Sequence, residues 1–527
     1  MCTQTPPTTP TRPSELPPTL SHVIAPTRSR RASIRVAASA IAGVLVLVSC
    51  SGGTTSSDRS TSAERAAPSS PSPLPPASDG TDTVPPPELD WRDCEVAQDS
   101  QCATLEVPLD WSVPAGPTVD LALVRVEASG DRIGSLLTNP GGPGASGLDF
   151  LGYEPFSKDI TERFDTVSWD PRGVGMSDAV SCGVDTSGEL LSLDPDPDDP
   201  TEQDALDRAA RAVAADCART DLALLEHVGT ADVARDLEAI RLALGDEPLN
   251  YIGFSYGTQI GQQYAQMFPD QIRAMVLDGV VDPALGFTEF LLGQTAAFDA
   301  AFEDNARRCA AARRDCGVDD LGEAYDRVHA MVESEPLGSG STIVGPAELA
   351  IGAVLTTYSD DGWKRLGPAL ADALDGNGRG LRRLAESYYD FGAYAAYAGV
   401  QCIDTPPPAT EDEFERFADE ARALSPRFGG TVANEMLPCA TWPVEPVGDA
   451  AAVTAPGAAP ILVVGNLRDA ATPYENAVAV AGALESGVLV TVDIGGHTAY
   501  GANDCATEVV DEYLIDLAVP KRDPRCT

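Results

Sequence analysis

With only four histidines, no CxxC spacing among twelve cysteines and no HExxH motif, the 527-residue chain carries no recognisable metal-binding signature. It has no GxxxxGK phosphate loop and no internal repeat, and nothing in it implies a cofactor. The apolar run 36–48 falls short of the ~20 residues a membrane-spanning helix needs. Positive charge is scarce: 36 Lys and Arg stand against 80 Asp and Glu, and a formal net charge of −44 excludes nucleic acid as a partner. Acid in that excess describes an evenly solvated surface.

What is present begins with Arg28, Arg30, Arg31 and Arg35 ahead of the short apolar run, the arrangement of an export signal. The run closes in Leu47-Val48-Ser49-Cys50, which resembles the bacterial lipobox and makes Cys50 the lipid-modified first residue of the mature chain. Ordinary secretory cleavage nearby, or an uncleaved anchor, is the alternative. Residues 50–88, dominated by Ser, Thr, Pro and Gly, read as a flexible tether behind the signal peptide 1–49. Membrane contact is then expected only through the lipid anchor at Cys50, and the location is extracytoplasmic, anchored or secreted. A monomer is expected.

Ten further cysteines in an exported chain suggest disulfides. Loop-closure cost favours neighbours, which gives Cys94-Cys102, Cys182-Cys217, Cys309-Cys316, Cys402-Cys439 and Cys505-Cys526.

Short apolar runs bounded by turn signals predict strands at 119–126, 134–137, 166–169, 249–254, 273–277, 461–464 and 488–492. Between several of them lie helical patterns, as at 230–244, where Val233, Leu237, Ile240 and Leu244 share a face behind a Thr230 cap. Alternating strands and helices predict an α/β fold with a mainly parallel, doubly covered sheet. The Ala-rich stretch 283–455 reads as a helical cap inserted into a core made of 89–282 and 456–527.

Gly253-Phe254-Ser255-Tyr256-Gly257 matches GxSxG, the strand-to-helix turn that exposes a serine in the α/β-hydrolase fold. The motif alone is weak, but a buried strand precedes it and a helical pattern follows. Ser255 is therefore the candidate nucleophile, and a serine of ordinary pKa needs a base. His22 lies in the leader, and His227 and His329 sit in helical patterns as surface or packing residues. His497, in Gly495-Gly496-His497-Thr498 after a late strand, fits the chain order serine, acid, histidine. Asp469 follows the penultimate strand and is the candidate acid; Asp493, at a strand end, is its rival. An oxyanion needs two backbone N–H donors. Tyr256 supplies one, and Gly142, with Gly141 behind it, supplies the other from Asn139-Pro140-Gly141-Gly142-Pro143-Gly144.

These motifs, with Trp169-Asp170-Pro171-Arg172-Gly173 and Asp469-Ala470-Ala471-Thr472-Pro473, occur in the order seen in one group. Over roughly 89–527 the chain resembles the secreted, often lipid-anchored tripeptidyl-aminopeptidase-like hydrolases of actinobacteria, relatives of the proline iminopeptidases. The resemblance implies a cap domain and cleavage of short peptides from a free N-terminus, so an oligopeptide is the expected substrate. Asn139 stands where the iminopeptidases have histidine in HGGPG, so proline specificity is not carried over. A substrate ammonium is best held by a desolvated carboxylate, and Asp404 is the candidate. A carboxylesterase or lipase acting on envelope esters, and a noncatalytic lipoprotein that keeps the fold, are the competing readings.

Overall fold

The computed structural model describes residues 89–527 apart from 246–247, 340–341 and 522–523. The signal 1–49, Cys50 and the tether 50–88 lie outside the described residues.

One sheet of ten strands organises the chain: β1 Arg92–Asp93, β2 Ser100–Pro108, β3 Thr118–Val126, β4 Gly134–Asn139, β5 Phe164–Trp169, β6 Leu249–Phe254, β7 Ile272–Asp278, β8 Ile461–Arg468, β9 Gly487–Gly495 and β10 Arg525–Cys526. Their spatial order is β1-β2-β3-β5-β4-β6-β7-β8-β9-β10. Pairing is parallel from β5 through β10 and antiparallel among β1, β2, β3 and β5, so the expected mainly parallel sheet is what forms. Every residue of β4, β5 and β6 is buried, polar ones such as Asp165, Thr166 and Ser168 included. By contrast, β2 alternates between buried and exposed positions, and Gln101, Thr104 and Glu106 within it hid the strand from a search for apolar runs. The two-residue strands β1 and β10 carry no pattern at all.

Between β7 and β8 the chain is helical from Phe287 to Thr441, and among the described residues this stretch adds no strand to the sheet. An aromatic cluster of Phe302, Tyr325 and Phe428 packs edge to face inside it. Five disulfides join Cys94 to Cys102, Cys182 to Cys217, Cys309 to Cys316, Cys402 to Cys439 and Cys505 to Cys526. Such bonds belong to an oxidising, extracytoplasmic compartment. Among the described residues no helix is long and apolar enough to cross a membrane.

Two expectations change. The strand predicted at 461–464 continues to Arg468, so Gly465, Asn466 and Leu467 are strand and not loop. The register explains this: Gly465 and Asn466 pair with Thr491 and Val492 of β9. The helix Thr230–Leu244 is not capped by its own threonine, because Gly229 occupies the cap position and makes no side-chain bond. Instead Thr230 is the first helical residue, and its N–H donates to Asp404, far along the chain.

Trp169-Asp170-Pro171-Arg172-Gly173 ties the sheet to its flanking elements. Asp170 accepts the Ser146 hydroxyl at 2.7 Å and the Met176 N–H at 2.7 Å. Arg172 is fully buried against a fully buried Asp236, with contacts at 2.6 and 2.7 Å, and donates to the carbonyls of Pro108, Leu109 and His227. Removing one partner strands the other charge without water. Arg172→Ala is therefore expected to lower stability by about 3–5 kcal/mol in denaturant unfolding; a loss below 1 kcal/mol would contradict this account.

Candidate active site

The site begins where the sheet reverses its winding order. β5 lies on one side of β4 and β6 on the other, and crevices at such switch points, beyond the carboxyl ends of the strands, are where open α/β sheets hold ligands. Asn139 at the end of β4 is level with Gly253 on β6, so the loops that follow the two strands leave side by side.

Ser255 occupies the turn between β6 and the helix Tyr256–Met267, with φ 54° and ψ −125°, a conformation that non-glycine residues rarely adopt. Crowding explains its neighbours. A Cβ at Gly253 would lie 2.3 Å from the Gly257 carbonyl oxygen, and one at Gly257 2.5 Å from that of Asn139. Only glycine fits either position.

The His497 Nδ1 lies 2.9 and 3.0 Å from the two carboxylate oxygens of Asp469. Asp469 is in turn held by the N–H groups of Ala471 and Thr472, both at 2.9 Å. Thr472 also brings its hydroxyl to 3.3 Å from Nδ1. Burial works against the imidazolium, but the Asp469 carboxylate outweighs it and raises the His497 pKa above that of an ordinary histidine. The other ring nitrogen, Nε2, has no hydrogen-bond partner among the described residues. Ser255 and His497 line one cavity of about 440 Å³, together with Gly142, Tyr256 and Thr472.

The loop after β4 distinguishes its two glycines. The Gly141 N–H donates to Asn139 Oδ1 at 2.9 Å, which commits it. Among the described residues neither the Gly142 N–H nor that of Tyr256, first in its helix, donates to a protein acceptor. A cavity wall with a serine, a carboxylate-supported imidazole and two unengaged amides is equipped for acyl transfer.

Known proteins resemble this chain over most of its length. A family model described as TAP-like protein matches residues 425–526. Serine protease Hip1 of Mycobacterium tuberculosis strain H37Rv is 35% identical over 473 residues, covering 83% of this chain and 91% of that protein. Tripeptidyl aminopeptidase of Streptomyces coelicolor is 33% identical over 467 residues, covering 83% and 86%. The chain belongs to the tripeptidyl-aminopeptidase-like α/β hydrolases. Carboxylesterase B of M. tuberculosis strain H37Rv, 34% identical over 471 residues and covering 84% and 90%, is a further relative. This protein is a serine hydrolase.

Several groups in the hydrolase escaped the sequence reading. Asp278, at the end of β7, accepts the Ser255 N–H on its backbone carbonyl at 2.9 Å. Its carboxylate accepts the N–H groups of Ala499 at 3.0 Å and Tyr500 at 2.8 Å, just past His497. Burial pushes that carboxyl up to about 6 against the pull of these amides. The only signal in the sequence was an acid closing an apolar strand ahead of glycine. Glu435, at the end of the helix Gly429–Glu435, lines the cavity, and among the described residues its carboxylate has no hydrogen bond or ion pair. Burial alone pushes it up to about 7.

The rivals lie elsewhere. Asp493 is half-exposed and pairs with Arg468 at 2.8 Å. His227 and His329 face Asp232 and Glu333 at 3.7 and 3.4 Å. Asp404 does line the cavity, but its two oxygens accept the N–H and the hydroxyl of Thr230. Away from the cavity, carboxylate oxygens of Asp194, Glu202 and Glu333 come within 4.8 Å of one another, a spacing a hard cation could bridge.

Gly279 sits against the imidazole at φ +69°, where a Cβ would lie 2.9 Å from His497 Cε1. Gly279→Ala is expected to displace the ring and lower kcat by up to about a hundredfold. Wild-type kcat in a folded Gly279→Ala protein would show that the ring does not need this position.

Proposed function

We propose that the hydrolase cleaves short peptides from a free N-terminus by an acyl-enzyme mechanism on Ser255, with Asp469 and His497 completing the triad. His497 takes the serine proton as the oxygen attacks the scissile carbonyl, and the Gly142 and Tyr256 amides bind the oxyanion. The imidazolium then protonates the departing amine. Water then gives a proton to His497 as it attacks the acyl-enzyme, and the imidazolium returns that proton to the Ser255 oxygen as the bond to the acyl carbon breaks and the acid leaves. Asp469 holds the Nδ1 tautomer and balances the imidazolium charge. In this reading the helical stretch 283–455 caps the 89–282 and 456–527 core.

Glu435 is the observation that carries the peptidase reading. An unpaired carboxylate in a desolvated cavity is unfavourable by itself and well suited to an ammonium. Tyr358, Tyr388, Tyr394 and Tyr397 line the same cavity. Burial first, and then the Glu435 charge, hold these four phenols above the usual tyrosine range. Their rings add cation–π surface around the acid. Glu435 is a better ammonium partner than Asp404, whose oxygens are already occupied by Thr230.

A second reading, carboxylesterase action, draws on the aromatic and aliphatic walls of the cavity, with Phe254, Leu285, Phe287 and Leu291 among them, and on the carboxylesterase relative. One panel separates the two: a peptide amide with free or acetylated N-terminus and a small acyl ester, assayed on wild type, Ser255→Ala, Glu435→Gln and Asp404→Asn. The peptidase reading expects the free peptide to be preferred. Glu435→Gln should then lower kcat/KM for that peptide alone by roughly 10- to 100-fold, the worth of a charged hydrogen bond. Turnover of the ester with neither peptide cleaved would establish the esterase instead.

We also propose that Cys50 carries a lipid and that 50–88 tethers the enzyme to the outer face of the membrane. Cys50→Ala should move the protein from the membrane fraction to the medium; unchanged fractionation would reject the anchor.

A further inference from the structure

Each end of the helix Tyr394–Asp404 touches the support of one oxyanion donor. Just before its first turn, the Ala393 N–H donates to the Gly144 carbonyl at 3.3 Å. Contact there is backbone to backbone: a Cβ at Gly144 would lie 3.0 Å from the Ala393 carbonyl oxygen, and one at Gly392 would lie 3.0 Å from the Gly144 carbonyl carbon. Gly144 closes the loop that presents the Gly142 amide, so the approach of 392–397 sets where that loop rests.

At the other end, Asp404 accepts the Thr230 N–H at 2.9 Å on one oxygen and the Thr230 hydroxyl on the other. Thr230 Oγ1 also lies 2.8 Å from the Tyr256 hydroxyl. A threonine hydroxyl has one proton. With that proton committed to Asp404, the remaining bond has a single sense, and the Tyr256 phenol donates to Thr230. Tyr256 presents the second oxyanion amide, and the residue is only 5% exposed, so holding the phenol orients it. Gln259, one turn further along the nucleophile helix, reaches the same Asp404 oxygen at 3.4 Å.

We infer that the helix Tyr394–Asp404 is a strut that sets both oxyanion donors, with Asp404 and Thr230 acting as positioning residues through Tyr256. This rests on the assignment of Ser255, Gly142 and Tyr256 made above. The Cys402–Cys439 disulfide fixes the same helix to the turn Leu437–Thr441. The helical stretch then contributes to the chemistry as well as to the walls of the cavity.

The test uses p-nitrophenyl acetate, which has no ammonium, and a peptide aldehyde, whose adduct with the serine carries the oxyanion. Thr230→Val and Tyr256→Phe each remove one oxygen of the relay while leaving the backbone amides in place. Each is expected to lower kcat on the ester and affinity for the aldehyde about tenfold, a fraction of the loss of a whole donor, with KM within twofold. The double variant should lose no more than either single one, because both break one chain of bonds. Thr230→Ser, which keeps the hydroxyl, should return both readouts to within about twofold of wild type. Should Thr230→Val fail to fold by circular dichroism, Tyr256→Phe carries the comparison. An unchanged kcat in Tyr256→Phe, or losses confined to KM, would overturn the strut. Ser255→Ala separates the two levels: residual turnover there sinks the nucleophile itself, whereas an inactive Ser255→Ala beside a fully active Tyr256→Phe sinks only the positioning claim.

Discussion

The geometry of the candidate site depends on Asp278, which holds two distant parts of it with different atoms. Its backbone carbonyl accepts the amide of Ser255, and its carboxylate accepts two amides just past His497. Ser255 follows β6 and His497 follows β9, and β7 and β8 separate those strands in the sheet. Without a group on β7 that reaches both, each loop would settle by its own local preferences. A buried carboxylate suits the task because in a low dielectric its bonds to amides are strong, and burial leaves no water to compete.

The same economy appears around the imidazole. Asn466 on β8 donates to the carbonyls of Gly496 and Thr498, and the Tyr358 carbonyl accepts the His497 amide at 3.2 Å. The Asp360 carboxylate accepts the Gly495 amide at 2.9 Å. Tyr358 and Asp360 belong to the helical stretch between β7 and β8, as do Asp404, Gly392 and Glu435. That stretch therefore meets the base loop, the loop after β4 and the nucleophile helix through specific bonds. Such contacts seat the helical stretch directly on the candidate site.

Placing an unpaired acid in an aromatic cavity has a cost in the free enzyme, visible in a Glu435 carboxyl pushed up to about 7. Under the proposed peptidase reading, a bound ammonium would draw it back toward the ionised form.

Much of this protein was decided along the chain. Strand and helix identities around Ser255, the order of serine, acid and histidine, and the proposed cysteine pairs follow from local patterns, because GxSxG crowding and short-loop closure act over a few residues. Alternation interrupted by polar residues concealed β2, and the extension of β8 to Arg468 came from pairing with β9. Only the tertiary structure decided the capping of Thr230 by Asp404, the double hold of Asp278 and the opening of Glu435 onto the cavity. Those arrangements join residues up to 222 positions apart. Their energies come from burial and from partners brought together by the whole fold, which no local window of sequence contains.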